Sequence, residues 1–215
     1  MTRPLIITDC DEVLLHMLVP FRAWLDEAHA VHFDFNRPDF GEALRHKDSD
    51  VAVERELVWA LLREFFATQM HRQYPITGAV GAIKRLSQMA DIIVLTNISD
   101  DAQEGRAAQL RAHGIDFPVY TNHGGKGPKL KALLEEYQPS IALFVDDIAH
   151  NHMSVAEHAP QVWRLHMVGE PEVAGRIATA TDAHARIDGW AEAEAWIAAR
   201  LSEGLPAAAT APQDA

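Results

Sequence analysis

The chain has 215 residues, with 19 lysines and arginines against 31 aspartates and glutamates, so its formal charge at neutral pH is −12. This length suits one to two domains with a proper buried core, and the acidic balance argues against nucleic acid or an anionic membrane as the partner, since those surfaces are met by Lys and Arg patches. Cys10 is the only cysteine, the N-terminal apolar stretch is too short for a signal peptide, and no run of about 18 apolar residues occurs; the expectation is a cytoplasmic protein without disulfides.

Leu5-Ile6-Ile7-Thr8 is a first apolar run, ending at Asp9. Residues 16–74 then read as an all-helical insertion. One helix starts near Pro20 with Phe21, Trp24, Leu25 and Ala28 inward. A loop with Asp34, Asn36 and Pro38 follows. Asp48-Ser49-Asp50 offers caps for a long helix carrying Leu57, Val58, Leu61, Leu62, Phe65 and Met70. Trp59, Phe65 and Phe66 suit the insertion's own core. After a Thr77 cap, Val80, Ile83 and Leu86 mark another helix. Ile92-Ile93-Val94-Leu95 is a second apolar run, into Thr96-Asn97. The helix after Ser99-Asp100 stops at His113-Gly114, with glycine as the terminator. Val119-Tyr120 is a short strand. Pro128 suits the first turn of a helix with Leu130, Leu133, Leu134 and Tyr137 on one face. Ile141 to Val145 is a third run, into Asp146-Asp147. Val162 to Val168 is a further strand, and Trp190, Ile197 and Leu201 belong to a C-terminal helix. Residues 204–215 read as a flexible tail. Apolar runs without alternation suit strands buried on both faces. Alternating with helices, they predict an α/β fold with a Rossmann-like parallel sheet and right-handed crossovers.

Ligands of open α/β sheets bind at the carboxyl ends of the strands. Here those ends carry Asp9-Cys10-Asp11, Thr96-Asn97 and Asp146-Asp147. Four carboxylates on one edge repel strongly in a poorly hydrated cleft. A divalent cation relieves this, and oxygen-only ligands favour Mg²⁺. Of the five lysines, Lys126, Lys129 and Lys131 stand at the start of the helix leading to the third run. Carboxylates, a metal, a hydroxyl and a lysine make a site suited to a phosphoryl group.

The ordered set Asp9-Cys10-Asp11-Glu12-Val13, Leu95-Thr96-Asn97, Lys126-Gly127 before a helix, and Asp146-Asp147-Ile148-Ala149-His150-Asn151 resembles the haloacid dehalogenase (HAD) superfamily. The resemblance covers residues 3–15 and 75–168. It implies a HAD-like core over 1–15 and 75–203, with 16–74 as a small α-helical cap. It implies a Mg²⁺-dependent phosphatase of the cytoplasm acting on a small phosphorylated substrate, with neither nucleic acid nor membrane as partner. Asp9 would be the nucleophile and Asp11 the acid/base. Thr96 and the Asn97 backbone would hydrogen-bond the phosphoryl oxygens, and Lys126 would neutralise charge. Mg²⁺ would sit among Asp9, the Asp11 carbonyl and Asp147, with Asp146 close by.

Three departures qualify the pattern. Glu12 replaces the glycine usual after the second aspartate, so either the turn is made differently or Glu12 points into the entrance. Asn151 stands where many members have a second acid. Lys129 competes with Lys126 for the lysine role, and Lys126, followed by glycine and a helix, is the better match. Single motifs taken alone point elsewhere more weakly. Asp-x-Asp also occurs in Mn²⁺-dependent glycosyltransferases. Gly124-Gly125-Lys126-Gly127 lacks P-loop spacing. His150, His152 and His158 lie on or near one helix, but no His-Glu-x-x-His occurs and Cys10 has no partner, so zinc is not expected there. Cys10 itself reads as a packed small residue. Within the superfamily, Asp11 counts against a dehalogenase, while a phosphonatase would need a cap lysine, of which Lys47 is the only one. A phosphomutase is a further rival within the superfamily, and a catalytically idle binding module is the rival from a different class. Arg22, Arg45, His46 and Lys47 are cap residues that could reach a substrate.

Overall fold

The computed structural model describes residues 2–37 and 40–208. The first part of the chain forms β1 (Leu5–Thr8), α1 (Leu18–Ala28), β2 (Val31–Phe33), α2 (Phe40–Ala43), β3 (Leu44–His46), α3 (Arg55–Thr68), α4 (Ala79–Leu86) and β4 (Asp91–Thr96). Then follow α5 (Gln103–Ala112), β5 (Val119–Thr121), α6 (Gly127–Tyr137), β6 (Ala142–Asp146), α7 (Ala149–His158), β7 (Trp163–His166), α8 (Pro171–Ala174), β8 (Ala185–Arg186) and α9 (Trp190–Glu203).

The main sheet has strand order β5-β4-β1-β6-β7-β8, and every neighbouring pair is parallel. Alternate side chains of β1 enter different cores. Ile6 packs with Ile83, Leu86, Leu110 and Ile197 under α4, α5 and α9. Leu5 and Ile7 pack with Leu130, Leu133 and Val155 under α6 and α7. Both faces are therefore covered, which is why the strand is apolar at every position. Because β1 is paired to β4 on one side and β6 on the other, their carboxyl ends open side by side at the point where the strand order reverses.

The insertion is not all-helical. Val31–Phe33 and Leu44–His46 pair antiparallel, with Phe33 opposite Leu44. Val31 and Phe33 are buried while His32 is exposed, a period-two pattern only three residues long and so easily lost in the sequence. Phe21 centres this unit, with ring centroids 6.0 Å from Phe33 and 5.3 Å from Phe65. The segment has its own apolar core, joined from the rest of the chain by Val168 and Val173.

Several local expectations also shift. Ala28 is exposed. Asp50 has φ of 53° and sits in the turn after β3, so α3 starts at Arg55 without a side-chain cap. Leu57 and Trp59 are exposed, and Met70 lies in a short 3-10 turn after α3. Gly78, at φ 86°, precedes α4 where a Thr77 cap is expected, and glycine takes that left-handed conformation without steric cost. Residues 205–208 are tethered: the Trp163 indole donates to the Leu205 carbonyl at 2.8 Å and Ala207 N–H donates to Gln161 at 3.0 Å. The expectations for Met1, Pro38 and residues 209–215 lie outside the described residues.

Candidate active site

Asp9 follows directly on β1, its N–H donating to the Val145 carbonyl at 2.8 Å. The Lys126 ammonium is fully buried, 2.8 Å from Asp9 Oδ1 and 2.6 Å from Asp146 Oδ2. Gly127 brings it there. A Cβ at Gly127 would collide with the Ser154 carbonyl oxygen, so only glycine lets the start of α6 press against α7. Its N–H donates to the Ser154 hydroxyl at 2.9 Å. Lys129 points away and rests 5.7 Å from the Tyr120 ring centroid. Lys126, not Lys129, therefore lies between the aspartates. Burial alone would lower the Lys126 ammonium, but the carboxylates of Asp146 and Asp9 outweigh it and push it up.

The two aspartates after β6 are held differently. Both oxygens of Asp146 are engaged: Oδ2 by Lys126, and Oδ1 by the Ile148 N–H and the Asn151 amide, each at 2.9 Å. Asp147 Oδ1 is buried with no hydrogen-bond partner among the described residues, and Asp9 Oδ1 has only its ion pair with Lys126. Asp9, Asp146 and Asp147 each offer an oxygen within 4.8 Å of the others. Burial pushes the Asp9 carboxyl up to about 7 and Asp147 well above the ordinary carboxylate range. A bare buried oxygen on Asp147, in an oxygen-only set whose carboxyls burial raises, is what a hard divalent cation would satisfy. The residues present therefore fit Mg²⁺.

The carbonyls of these aspartates are held by histidines that sequence reasoning did not place in the site. His166 Nδ1 accepts from Ala180 N–H at 2.9 Å, so Nε2 carries the proton and donates to the Asp147 carbonyl at 2.9 Å. His152 Nε2 donates to the Asp146 carbonyl at 2.9 Å. Burial lowers both imidazoles, His152 to about 4. His158 turns instead to the Ser154 carbonyl, so His150, His152 and His158 do not converge.

Asp11 lies beside Asp9 but is claimed by other groups. Arg106, fully buried on α5, sets Nη1 and Nη2 each 3.1 Å from one Asp11 oxygen, a two-point fork. Gln73 donates to Asp11 at 2.6 Å, and the buried Thr96 hydroxyl lies 3.5 Å away. Sequence reasoning missed Arg106, yet a signal existed: it stands four residues before the buried Leu110, on the inward face of α5. Arg106 also donates to Cys10 Sγ at 3.0 Å. Cys10 is fully buried and burial pushes its thiol up, so it is a packed, protonated residue. Asn97 is exposed at the end of β4 and its amide donates to the Gly124 carbonyl at 3.0 Å.

Glu12 makes its turn differently and does not face the entrance. It takes φ of 57°, the left-handed conformation a glycine would adopt freely. Its Oε1 accepts from the N–H groups of Met17 and Leu18 at 2.7 and 2.6 Å, satisfying the free start of α1. The cap residues considered for substrate are engaged elsewhere: Arg22 with Glu172, Arg45 with Asp50, His46 near Glu54 and Lys47 with Asp26.

No protein-family model and no curated relative matches this sequence. Solved structures do. A haloacid dehalogenase-like hydrolase from Streptococcus pneumoniae matches with a TM-score of 0.62 at 13% identity, over 91% of this chain and 98% of the other. A predicted phosphoglycolate phosphatase from Haemophilus somnus gives 0.60 at 14% identity, over 90% and 97%. The HAD-hydrolase YfnB from Bacillus subtilis, solved bound to magnesium, gives 0.59 at 13%, over 92% and 99%. A parallel sheet with β1 at its centre, a lysine buried between the aspartates that end β1 and β6, and these matches along nearly whole chains together show that the protein has the haloacid dehalogenase-like hydrolase fold.

Proposed function

We propose that this chain is a Mg²⁺-dependent phosphatase that hydrolyses a small phosphorylated metabolite through an aspartyl-phosphate on Asp9. The observation that carries the reading is the buried Lys126 bridging Asp9 and Asp146 beside the unpartnered Asp147 oxygen. Asp9 and Asp147, with the Asp11 carbonyl, would hold the ion, while Asp146, with both oxygens engaged, orients Lys126. When bound, the ion supplies positive charge to the phosphoryl oxygens and to Asp9. Asp9 attacks phosphorus and the ester oxygen leaves. Asp11 gives that oxygen a proton and then takes one from the water that attacks the aspartyl-phosphate. Arg106 and Gln73 fix the Asp11 carboxyl in place. Thr96 and the Asn97 N–H bind phosphoryl oxygens, and Lys126 offsets the charge that develops.

Residues 16–74 act as a cap, supported by their separate apolar core. A cap excludes water and leaves room for a small leaving group. A phosphonatase reading loses support, since Lys47 is paired with Asp26 at 2.6 Å. No helix among the described residues is long and apolar enough to cross a membrane, and the single buried Cys10 fits a cytoplasmic setting. Turnover of p-nitrophenyl phosphate with Mg²⁺, lost in Asp9→Asn, followed by a screen of phosphorylated metabolites, tests the proposal. No turnover of any monoester by well-folded protein in Mg²⁺ would favour the idle binding module.

A further inference from the structure

A second group of metal-ligand side chains lies beside the candidate active site and takes no part in the chemistry proposed above. Glu12, His16 and Glu170 each bring a donor atom within 4.8 Å of the other two, and all three are buried, at 2%, 9% and 5% exposure. His16 Nδ1 stands 3.0 Å from Glu170 Oε2. The backbone holds the set together: Gly169 N–H donates to the Glu12 carbonyl at 2.6 Å, and a Cβ at Gly169 would lie 2.8 Å from that same oxygen. Tyr74 packs its ring 4.8 Å from that of His16.

The cluster is incomplete as it stands. Glu12 Oε1 caps α1, but Glu12 Oε2 is buried without a hydrogen-bond partner among the described residues, and His16 Nδ1 has only its ion pair with Glu170. Glu170 spends Oε1 on the Glu172 N–H at the start of α8 and leaves Oε2 toward His16. Arg22, the cation that reaches Glu170, is committed to Glu172 in a two-point fork at 2.8 and 3.0 Å. Glu12 Oε2 is thus a buried carboxylate oxygen left unsatisfied, at a cost of about 1–3 kcal/mol.

We propose that Glu12, His16 and Glu170 form a binding site for a borderline divalent transition-metal ion, Zn²⁺ first, distinct from the Mg²⁺ site. One imidazole nitrogen with two carboxylates suits Zn²⁺ better than Mg²⁺ or Ca²⁺, which take oxygen sets. Donors around tetrahedral Zn²⁺ lie about 3.4 Å apart, given bonds of roughly 2.0–2.2 Å, so the observed spacing needs only small side-chain shifts. A fourth position is left for water. The ion would tie the segment leading from β1 into the insertion to the loop after β7, clamping the junction between the two units. The site is independent of the phosphatase reading.

The test equilibrates the full chain and its Asp147→Asn, His16→Gln and Glu170→Gln variants with one equivalent of Zn²⁺. Retained metal is measured after desalting, Co²⁺ absorption is recorded in parallel, and circular dichroism of the metal-free proteins checks folding. Wild type and Asp147→Asn should retain about one Zn²⁺, whereas His16→Gln and Glu170→Gln should bind at least about tenfold more weakly and lose the visible Co²⁺ bands. Zn²⁺ should raise the melting midpoint of the first pair only. Two substitutions at different ligands keep the test decisive if one fails to fold. Equal retention in His16→Gln and Glu170→Gln, loss in Asp147→Asn alone, or no retention by wild type would overturn the proposal. Turnover of p-nitrophenyl phosphate in Mg²⁺, measured separately, would stand or fall without it.

Discussion

Lys126→Met removes one charge and keeps an unbranched apolar stem, so it isolates the electrostatic role of the lysine. The ammonium is 2.8 Å from Asp9 and 2.6 Å from Asp146, and it is fully buried. Removing one partner of a buried ion group costs about 3–5 kcal/mol, because the opposite charge stays behind. Asp146 keeps its bonds from Ile148 N–H and the Asn151 amide, so the loss should fall near the lower end, about 3 kcal/mol. That is a large share of a total of roughly 5–15 kcal/mol. Urea unfolding in EDTA at pH 7.5 should show the lower midpoint with an unchanged slope. The deficit should shrink toward pH 5. Asp9 has a folded-state value of about 7 against an ordinary 3.8, mainly through burial. A raised carboxyl contributes stability that is present at low pH and lost as pH rises through 7, so protonated Asp9 no longer needs the lysine. Saturating Mg²⁺ should raise the stability of wild type and variant alike, by about 2.7 kcal/mol at a hundredfold excess over each one's Kd. A deficit under about 1 kcal/mol at pH 7.5, or one that grows on acidification, would refute the reasoning, since both follow from the buried-pair cost.

Three further outcomes are expected. Asp9→Asn should abolish turnover while leaving the melting midpoint equal or higher, since it removes a buried carboxylate; activity above a few per cent of wild type would exclude Asp9 as nucleophile. EDTA should remove activity and Mg²⁺ restore it, with Ca²⁺ much poorer because it prefers more ligands and longer bonds; full activity in excess chelator counts against the metal site. His152 is held neutral by burial, at about 4 against 6.5, so between those values the unfolded chain binds more protons and His152 costs stability as pH falls. Relative to wild type, His152→Gln should therefore gain up to about 3 kcal/mol between pH 6.5 and 4 in urea unfolding, and a pH-independent difference would refute this.

The parts of this protein legible in the sequence are those set by local pattern. Buried parallel strands must be apolar on both faces, so β1, β4 and β6 stand out as uninterrupted runs, and the polar residues at their ends mark Asp9, Thr96 and Asp146 as neighbours before any coordinate is known. Gly127 and Pro128 likewise announce the helix start that carries Lys126. The sequence favours Lys126 over Lys129 by its place before glycine and a helix; the tertiary structure adds that Lys126 is the one lying between Asp9 and Asp146, where the start of α6 closely approaches Ser154 of α7. It also decided that Asp146 is saturated while Asp147 keeps a bare oxygen, a difference of hydrogen-bond partners between adjacent identical residues. The β2–β3 pair escaped notice since strands of three residues carry almost no periodicity. Arg106, Gln73, His166 and the Glu12–His16–Glu170 group are joined through contacts far apart along the chain. Charge pairing of that kind leaves no period in the sequence: a buried arginine is written with the same letter as a solvated one, and only the packing around it determines which it is.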